Sequence, residues 1–276
     1  MYNFGADSAE WSGCLDRVTN TTVHAVFETK SWRLFSMLFG FGFALQLART
    51  ITGADGSLWF YFRRLAILFV FGMLHALFFD GDILMAYAML GLILVAFRNV
   101  PGRALVILAF VLLAAFPLAN LVHTESSEDL EIQWEDSLTL SERREDHPYL
   151  GSLGEVLEEN VEVIPPRIWE DLHGPEDSLA VFSMFLLGLW VGRGKIFDNI
   201  ERHLPLLRNV FKWGICIGAV SALIEWSLKQ MFGYAVFGTS SAPRSVRFLG
   251  DVLFAYGSTA LALSYAAGIV LLTRKP

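Results

Sequence analysis

Few residues in this chain are equipped for chemistry, and those few sit in greasy surroundings. The stretch FGMLHALFFDGDILMAYAMLG, from Phe71 to Gly91, carries His75, Asp80 and Asp82 with Gly81 between the carboxylates. Hydrocarbon accepts charge at a high cost, so ionisable groups in such a stretch lean towards function. An imidazole titrates near neutrality and can take a proton from a hydroxyl or an amine. A carboxylate such as Asp82 would orient the ring and stabilise the imidazolium. A structural assignment fits the same residues. In it, His75 donates to a backbone carbonyl or to Asp82 and locks a hairpin that turns at Gly81, while Asp82 is the N-cap of the following helix. The residues alone leave both assignments open.

Other candidates are sparser. Arg63 and Arg64 are first of all topology anchors, and an adjacent arginine pair also suits a phosphate. Glu225 and Lys229 have the spacing of a helical ion pair. There is no serine nucleophile elbow, P-loop or dinucleotide fingerprint. GRGK at Gly192–Lys195 reads as a charged loop after an apolar run. Cys14 and Cys216 suggest no disulfide framework, and no His/Cys spacing suggests a metal site.

The elements that must hold these residues follow from composition. The chain is 54% hydrophobic and only 18% charged, with 23 phenylalanines among 276 residues, which places it outside the soluble norm. The expected fold class is all-α, a polytopic membrane helix bundle. Seven spans are expected: Leu34–Ala48, Leu65–Phe79, Ile83–Phe97, Ala104–Val122, Ser178–Gly192, Trp213–Leu228 and Val252–Thr273. Several have short uncharged cores that flanking Arg33, Arg49, Arg64 and Arg98 extend by snorkelling. The pairs Gly188/Gly192 and Gly214/Gly218, with Gly40 and Gly42, read as close helix-packing positions.

Charge sets the orientation. Of the 28 acidic residues, 17 fall between Glu125 and Asp177 beside only Arg143, Arg144 and Arg167, so the net charge of −7 is local. Such a loop excludes nucleic acid and anionic lipid as its partners. Arginine and lysine gather in alternate loops, which the positive-inside rule makes cytoplasmic. The expected organisation is therefore an extracytoplasmic N-terminal segment (1–30), a four-helix membrane part (31–122), an acidic extracytoplasmic loop (123–177) and a three-helix membrane part (178–276). The loop has room for an amphipathic helix at Leu153–Ile164. Arg33, His75, Glu225 and Asp251 all fall towards the outer leaflet in this arrangement.

The segments LFSMLFGFGFALQLAR, RRLAILFVFGMLHALFFDGDILMAYAMLGLIL and FSMFLLGLWVGRGKIF resemble the bacterial YeiB-like membrane proteins, a domain-of-unknown-function family. The resemblance covers spans one to three and five. It implies a bacterial cytoplasmic-membrane location and distant kinship with transmembrane acyltransferases, which move an acyl group from cytoplasmic acyl-CoA to an acceptor across the membrane. By that kinship His75 is the catalytic histidine, Asp82 orients it, and Arg63 or Arg64 holds cofactor phosphate, with acyl-CoA as donor substrate rather than a bound cofactor. Family members begin with an LDxLRGxAxxG-type helix and continue with further helices, so the resemblance also implies a chain clipped at both ends.

The leading expectation for function is thus a transmembrane acyltransferase embedded in the lipid bilayer. A transporter or channel using the outer polar residues is the rival, and it calls for ionisable groups reaching the midplane. A non-enzymatic scaffold or sensor that binds a partner through the acidic loop is the third reading.

Overall fold

The computed structural model of the chain describes residues 29–51, 58–78, 83–122, 175–232 and 242–273, together with the helical positions Gly154, Leu157 and Val161. The N-terminal segment, Asp80 to Asp82, where a hairpin turn was expected, and the remainder of the acidic loop lie outside the described residues.

Every regular element among the described residues is helical. The α-helices are α1 (Thr29–Ile51), α2 (Leu58–Ala76), α3 (Leu84–Leu94), α4 (Gly102–Val122), α5 (Pro175–Arg193), α6 (Ile200–Phe232) and α7 (Arg244–Thr273). A 3-10 stretch, Val95–Asn99, extends α3. Among the described residues four helices are long and apolar enough to cross a membrane: α2, α4, α6 and α7. The segments Leu84–Asn99 and Ser178–Arg193 are apolar but shorter.

The helices coincide with the seven expected segments, but several ends differ. α2 starts at Leu58, so Arg63 and Arg64 lie inside the helix rather than in the loop before it. α6 starts at Ile200 and takes in Arg202 and Arg208. α7 starts at Arg244, so Asp251 sits about two turns inside it instead of opening it. Charge therefore did not mark these helix ends. Arginine stems lie along apolar surface and their heads find aromatic rings, as Arg63 does over Phe60 at 5.3 Å and Arg64 over Phe39 at 5.9 Å.

Local chemistry explains several of the observed ends. Pro101 and Pro243 stand just before α4 and α7. Each proline carbonyl accepts the first-turn amides, from Ala104 and Leu105 and from Val246 and Arg247. GRGK is the turn that ends α5. There, Lys195 takes a left-handed φ of 48°, its amide donates to Gly192, and the Ile196 amide donates to Val191. That is the hydrogen-bond pattern of a Schellman cap.

Contacts between helices give their directions. Tyr61 of α2 donates to the Gly91 carbonyl of α3 at 2.9 Å. On α1 and α5, Gly40 meets Phe185, Gly188 meets Met37 and Gly192 meets Ala44, so the two run parallel. Gly218 against Leu261 and Gly257 against Ser221 make α6 and α7 antiparallel. Helices α1, α3, α5 and α7 thus point one way, and α2, α4 and α6 the other. One end of the bundle, here the basic end, carries Arg98, Arg103, Arg193, Lys195 and Arg202. The opposite end carries Lys30, Arg33, His75, Glu225 and Asp251.

The core joins α1, α3 and α5 through aromatic rings. Phe39 and Phe185 stack at 4.6 Å between centroids, and Tyr87 meets Phe185 edge-on at 5.2 Å. Methyl groups added at Gly40 or Gly188 would overlap the Phe185 and Met37 carbonyls, so the α1 and α5 backbones are in direct contact. Gly42 differs, because its nearest outside neighbour is Arg64 Nη1 at 3.9 Å. Gly188→Val should therefore destabilise the protein by about 3 kcal/mol or more, since backbone cannot yield as a side chain does. Gly42→Ala should stabilise it by up to about 1 kcal/mol through helix propensity. Thermal unfolding of both variants in detergent checks the contrast, and equal effects would contradict the packing.

Candidate functional site

Two groups of ionisable residues stand out, and they are separate. The first contains the residues read from sequence as a site. Arg63 and Arg64 are exposed about two turns from the start of α2, and His75 is exposed at its other end. The buried stripe of α2 is Tyr61, Leu65, Gly72 and Ala76, which faces α3. His75 precedes Ala76 by one residue and so points about 100° away from it, to one side of that stripe. Arg64 and His75 are 11 residues apart, about three turns, which puts them on one face of α2 some 16 Å apart along its axis. The structure does not bring the arginines and the histidine together. Asp82 lies outside the described residues. The residue flanking α3 is Ile83, which makes no side-chain cap, so the expected N-cap position of Asp82 shifts by one residue.

The second group is buried. Arg33, only 2% exposed, reaches from the first turns of α1 to the middle of α7. Its Nη1 donates to the Ala255 carbonyl at 3.0 Å and to Thr259 Oγ1 at 2.6 Å. The Thr259 hydroxyl in turn donates to the same Ala255 carbonyl at 2.8 Å. The guanidinium also lies over the Phe254 ring, 5.4 Å from its centroid. Thr259 stands at the midpoint of α7.

Around Arg33 lie six more polar residues. Lys30, one turn earlier on α1, is buried. Glu225 of α6 is partly buried, and its electrostatic neighbours are Lys30 and Arg33. The carboxylate thus looks across to α1, while Lys229, its expected helical partner, is exposed. Asp251, one turn before Ala255 on the same face of α7, is 3% exposed and accepts from Asn120 Nδ2 of α4 at 3.1 Å. Ser36 Oγ and Tyr87 Oη lie 2.5 Å apart between α1 and α3, and Ser36 also donates to the Trp32 carbonyl at 2.9 Å.

Two cations and two carboxylates are thus drawn to one end of the bundle from α1, α6 and α7. Such a set can hold charge away from water, exchange protons or receive an ionic group. It offers no metal cluster: among the described residues no group of three His, Cys, Asp or Glu is placed to hold a metal ion. Cys216 is free and exposed.

Sequence reasoning placed Arg33, Glu225 and Asp251 near one membrane face but did not assemble them, and it missed Lys30, Asn120 and Thr259. A usable signal was present. Lys30 and Arg33 are three apart, while Asp251, Ala255 and Thr259 follow i, i+4, i+8 on one face. A guanidinium reaches the centre of α7.

Replacing Arg33 strands charge, whereas replacing Thr259 removes one acceptor. Arg33→Met should cost roughly 3 kcal/mol, and Thr259→Val roughly 1 kcal/mol. Thermal unfolding in a single detergent reads both, and an Arg33→Met cost no larger than that of Thr259→Val would show that the guanidinium is not buried as described.

No family model matches the chain, and no solved structure does. The chain is 32% identical over 210 residues to the uncharacterized protein YxaH of Bacillus subtilis (strain 168), across 73% of its own length and 52% of that protein's. It is also 35% identical over 86 residues to an uncharacterized 39.9 kDa protein from the amylase 3' region of Bacillus acidopullulyticus, across 31% of its own length and 25% of that protein's. The chain therefore spans about half the length of the first of these relatives and a quarter of the second.

Proposed function

We propose that this is a seven-span protein of the bacterial cytoplasmic membrane, YeiB-like in kind, that moves an acyl group from cytoplasmic acyl-CoA to an extracytoplasmic acceptor. One observation carries the reading. α2 presents what such a transfer needs, a cationic pair at Arg63 and Arg64 in its first half and an imidazole at His75 at its far end, about 16 Å further along the axis. The basic end faces the cytoplasm by the positive-inside rule, and the acidic loop lies outside. An acyl-CoA held by its phosphates at the arginines would direct its thioester along α2 towards His75. There the imidazole takes the proton from the acceptor hydroxyl or amine as the acyl carbon is attacked, then returns it to the CoA thiolate as the thioester C–S bond breaks and CoA leaves, with Asp82 orienting the ring. α1, α3 and α5 complete the seven spans, with arginines snorkelling at their ends where the apolar core is short.

A transporter is the second reading, favoured by the buried group around Arg33. Ionisable residues inside a bundle commonly line substrate or proton pathways.

The first test is acyl-CoA binding to detergent-purified protein, followed by acyl transfer. Arg63→Ala/Arg64→Ala should weaken binding by about tenfold or more, as expected for the loss of charge-assisted hydrogen bonds. His75→Ala should keep binding and lose transfer by about a hundredfold or more. Absence of saturable binding to the folded, unsubstituted protein would remove the acyltransferase reading. Solute or proton flux in proteoliposomes that depends on Arg33 would put the transporter in its place.

A further inference from the structure

The interfaces of the bundle are of two chemical kinds, and the division follows the helices. α1 and α5 are keyed by glycines whose added methyls would strike backbone, and α6 and α7 are keyed by Gly214, which abuts the Ala260 carbonyl, and by Gly257, which abuts the Ser221 side chain. The contacts of the α6–α7 hairpin with the remaining helices are different at the end that carries Arg33. They comprise Arg33 on Ala255 and Thr259, Asn120 on Asp251, and the Tyr256 hydroxyl donating to the Phe110 carbonyl of α4 at 2.9 Å. From Ala262 towards the basic end the seam turns apolar. Ala262 and Ala266 belong to the main core. Val191, Ile196, Leu207 and Ala267 form a second cluster with Phe41 and Phe197 packed against it, beneath the tight turn that ties α5 to α6.

An apolar, close-packed joint resists separation because its contacts have no replacement. A polar seam differs, because water or an ionic group can take over each hydrogen bond at modest net cost. We propose that α6 and α7 move as one rigid hairpin, pivoting on the apolar cluster at the basic end and opening the Arg33 seam at the other. Opening exposes Lys30, Arg33, Glu225 and Asp251 together and admits water or an ionic group between α1, α4 and α7. The pivot goes beyond the acyltransferase reading and stands whether or not acyl-CoA binds.

Spin-label distance measurement on the full chain tests it, in a Cys14→Ser/Cys216→Ser background. One label pair, Leu121→Cys on α4 and Leu249→Cys on α7, spans the seam end at exposed positions. A second pair, Arg103→Cys on α4 and Leu272→Cys on α7, spans the basic end at exposed positions. Arg33→Met should add a longer-distance component to the first pair and leave the second unchanged. Thr259→Val, which removes only the hydroxyl acceptor, should do the same to a smaller extent and serves where Arg33→Met does not fold. An unchanged first pair in the folded variants would overturn the pivot. Equal broadening of both pairs would overturn it too, because that describes general loosening.

Discussion

One buried guanidinium organises the end of the bundle opposite the basic loops. A cation removed from water must find its hydrogen bonds inside the protein, and Arg33 finds two of them on α7. This requirement sets the depth of α1 against α7 and the face that α7 turns inwards. The Ala255 carbonyl accepts from both Arg33 and Thr259, so its electron density is shared within one turn of helix. Glu225, Asp251 and Asn120 then gather where positive charge from Arg33 and Lys30 makes carboxylates and amide oxygens welcome. Remove the guanidinium and the carboxylates lose the reason for their positions.

The small residues of α7 answer a second demand. A helix that presents Asp251, Ser258, Thr259 and Ser264 inwards gains little from apolar packing at those positions. It makes up the contact with Gly250, Gly257, Ala262, Ala266 and Gly268, which let neighbouring backbones approach. In lipid there is no hydrophobic force between helices to supply the difference, so close approach has to do it. The result is that half of α7's apolar window is buried, more than in any other helix long and apolar enough to cross a membrane.

Much of this was legible from sequence and some was not, for reasons that particular residues show. Helix positions were readable because long apolar runs broken by loops have few other interpretations. Helix ends were not, because Arg63, Arg64, Arg202 and Arg208 looked like loop markers, yet long side chains sit on a helix with their heads displaced from it. His75 and Arg33 gave the same signal, an ionisable residue beside an apolar run, and their fates are opposite. α2 carries Arg63, Arg64 and His75 on an otherwise apolar surface, and those residues do not tell which of its apolar stripes meets α3. α1 shows the same lack of direction. A partner 226 residues away, as Thr259 is for Arg33, leaves no local trace at all.

The separation of the exposed face of α2 from the Arg33 group constrains any mechanism that uses both. α2 rests on α3 through Tyr61, whose hydroxyl donates to the Gly91 carbonyl, and through Leu65 packed at the same glycine. One turn earlier on α3, Tyr87 meets Ser36 of α1, three residues from Arg33. A signal between His75 or Arg64 and the buried charges therefore has a short physical route, across α3 and into α1. α3 is only 11 residues long and gives way to a 3-10 stretch, a thinner strut than the glycine-keyed pairs on either side. A function that couples the two places would have to act through that strut, and the hydroxyl contact between Tyr87 and Ser36 is the point where α3 meets the polar seam.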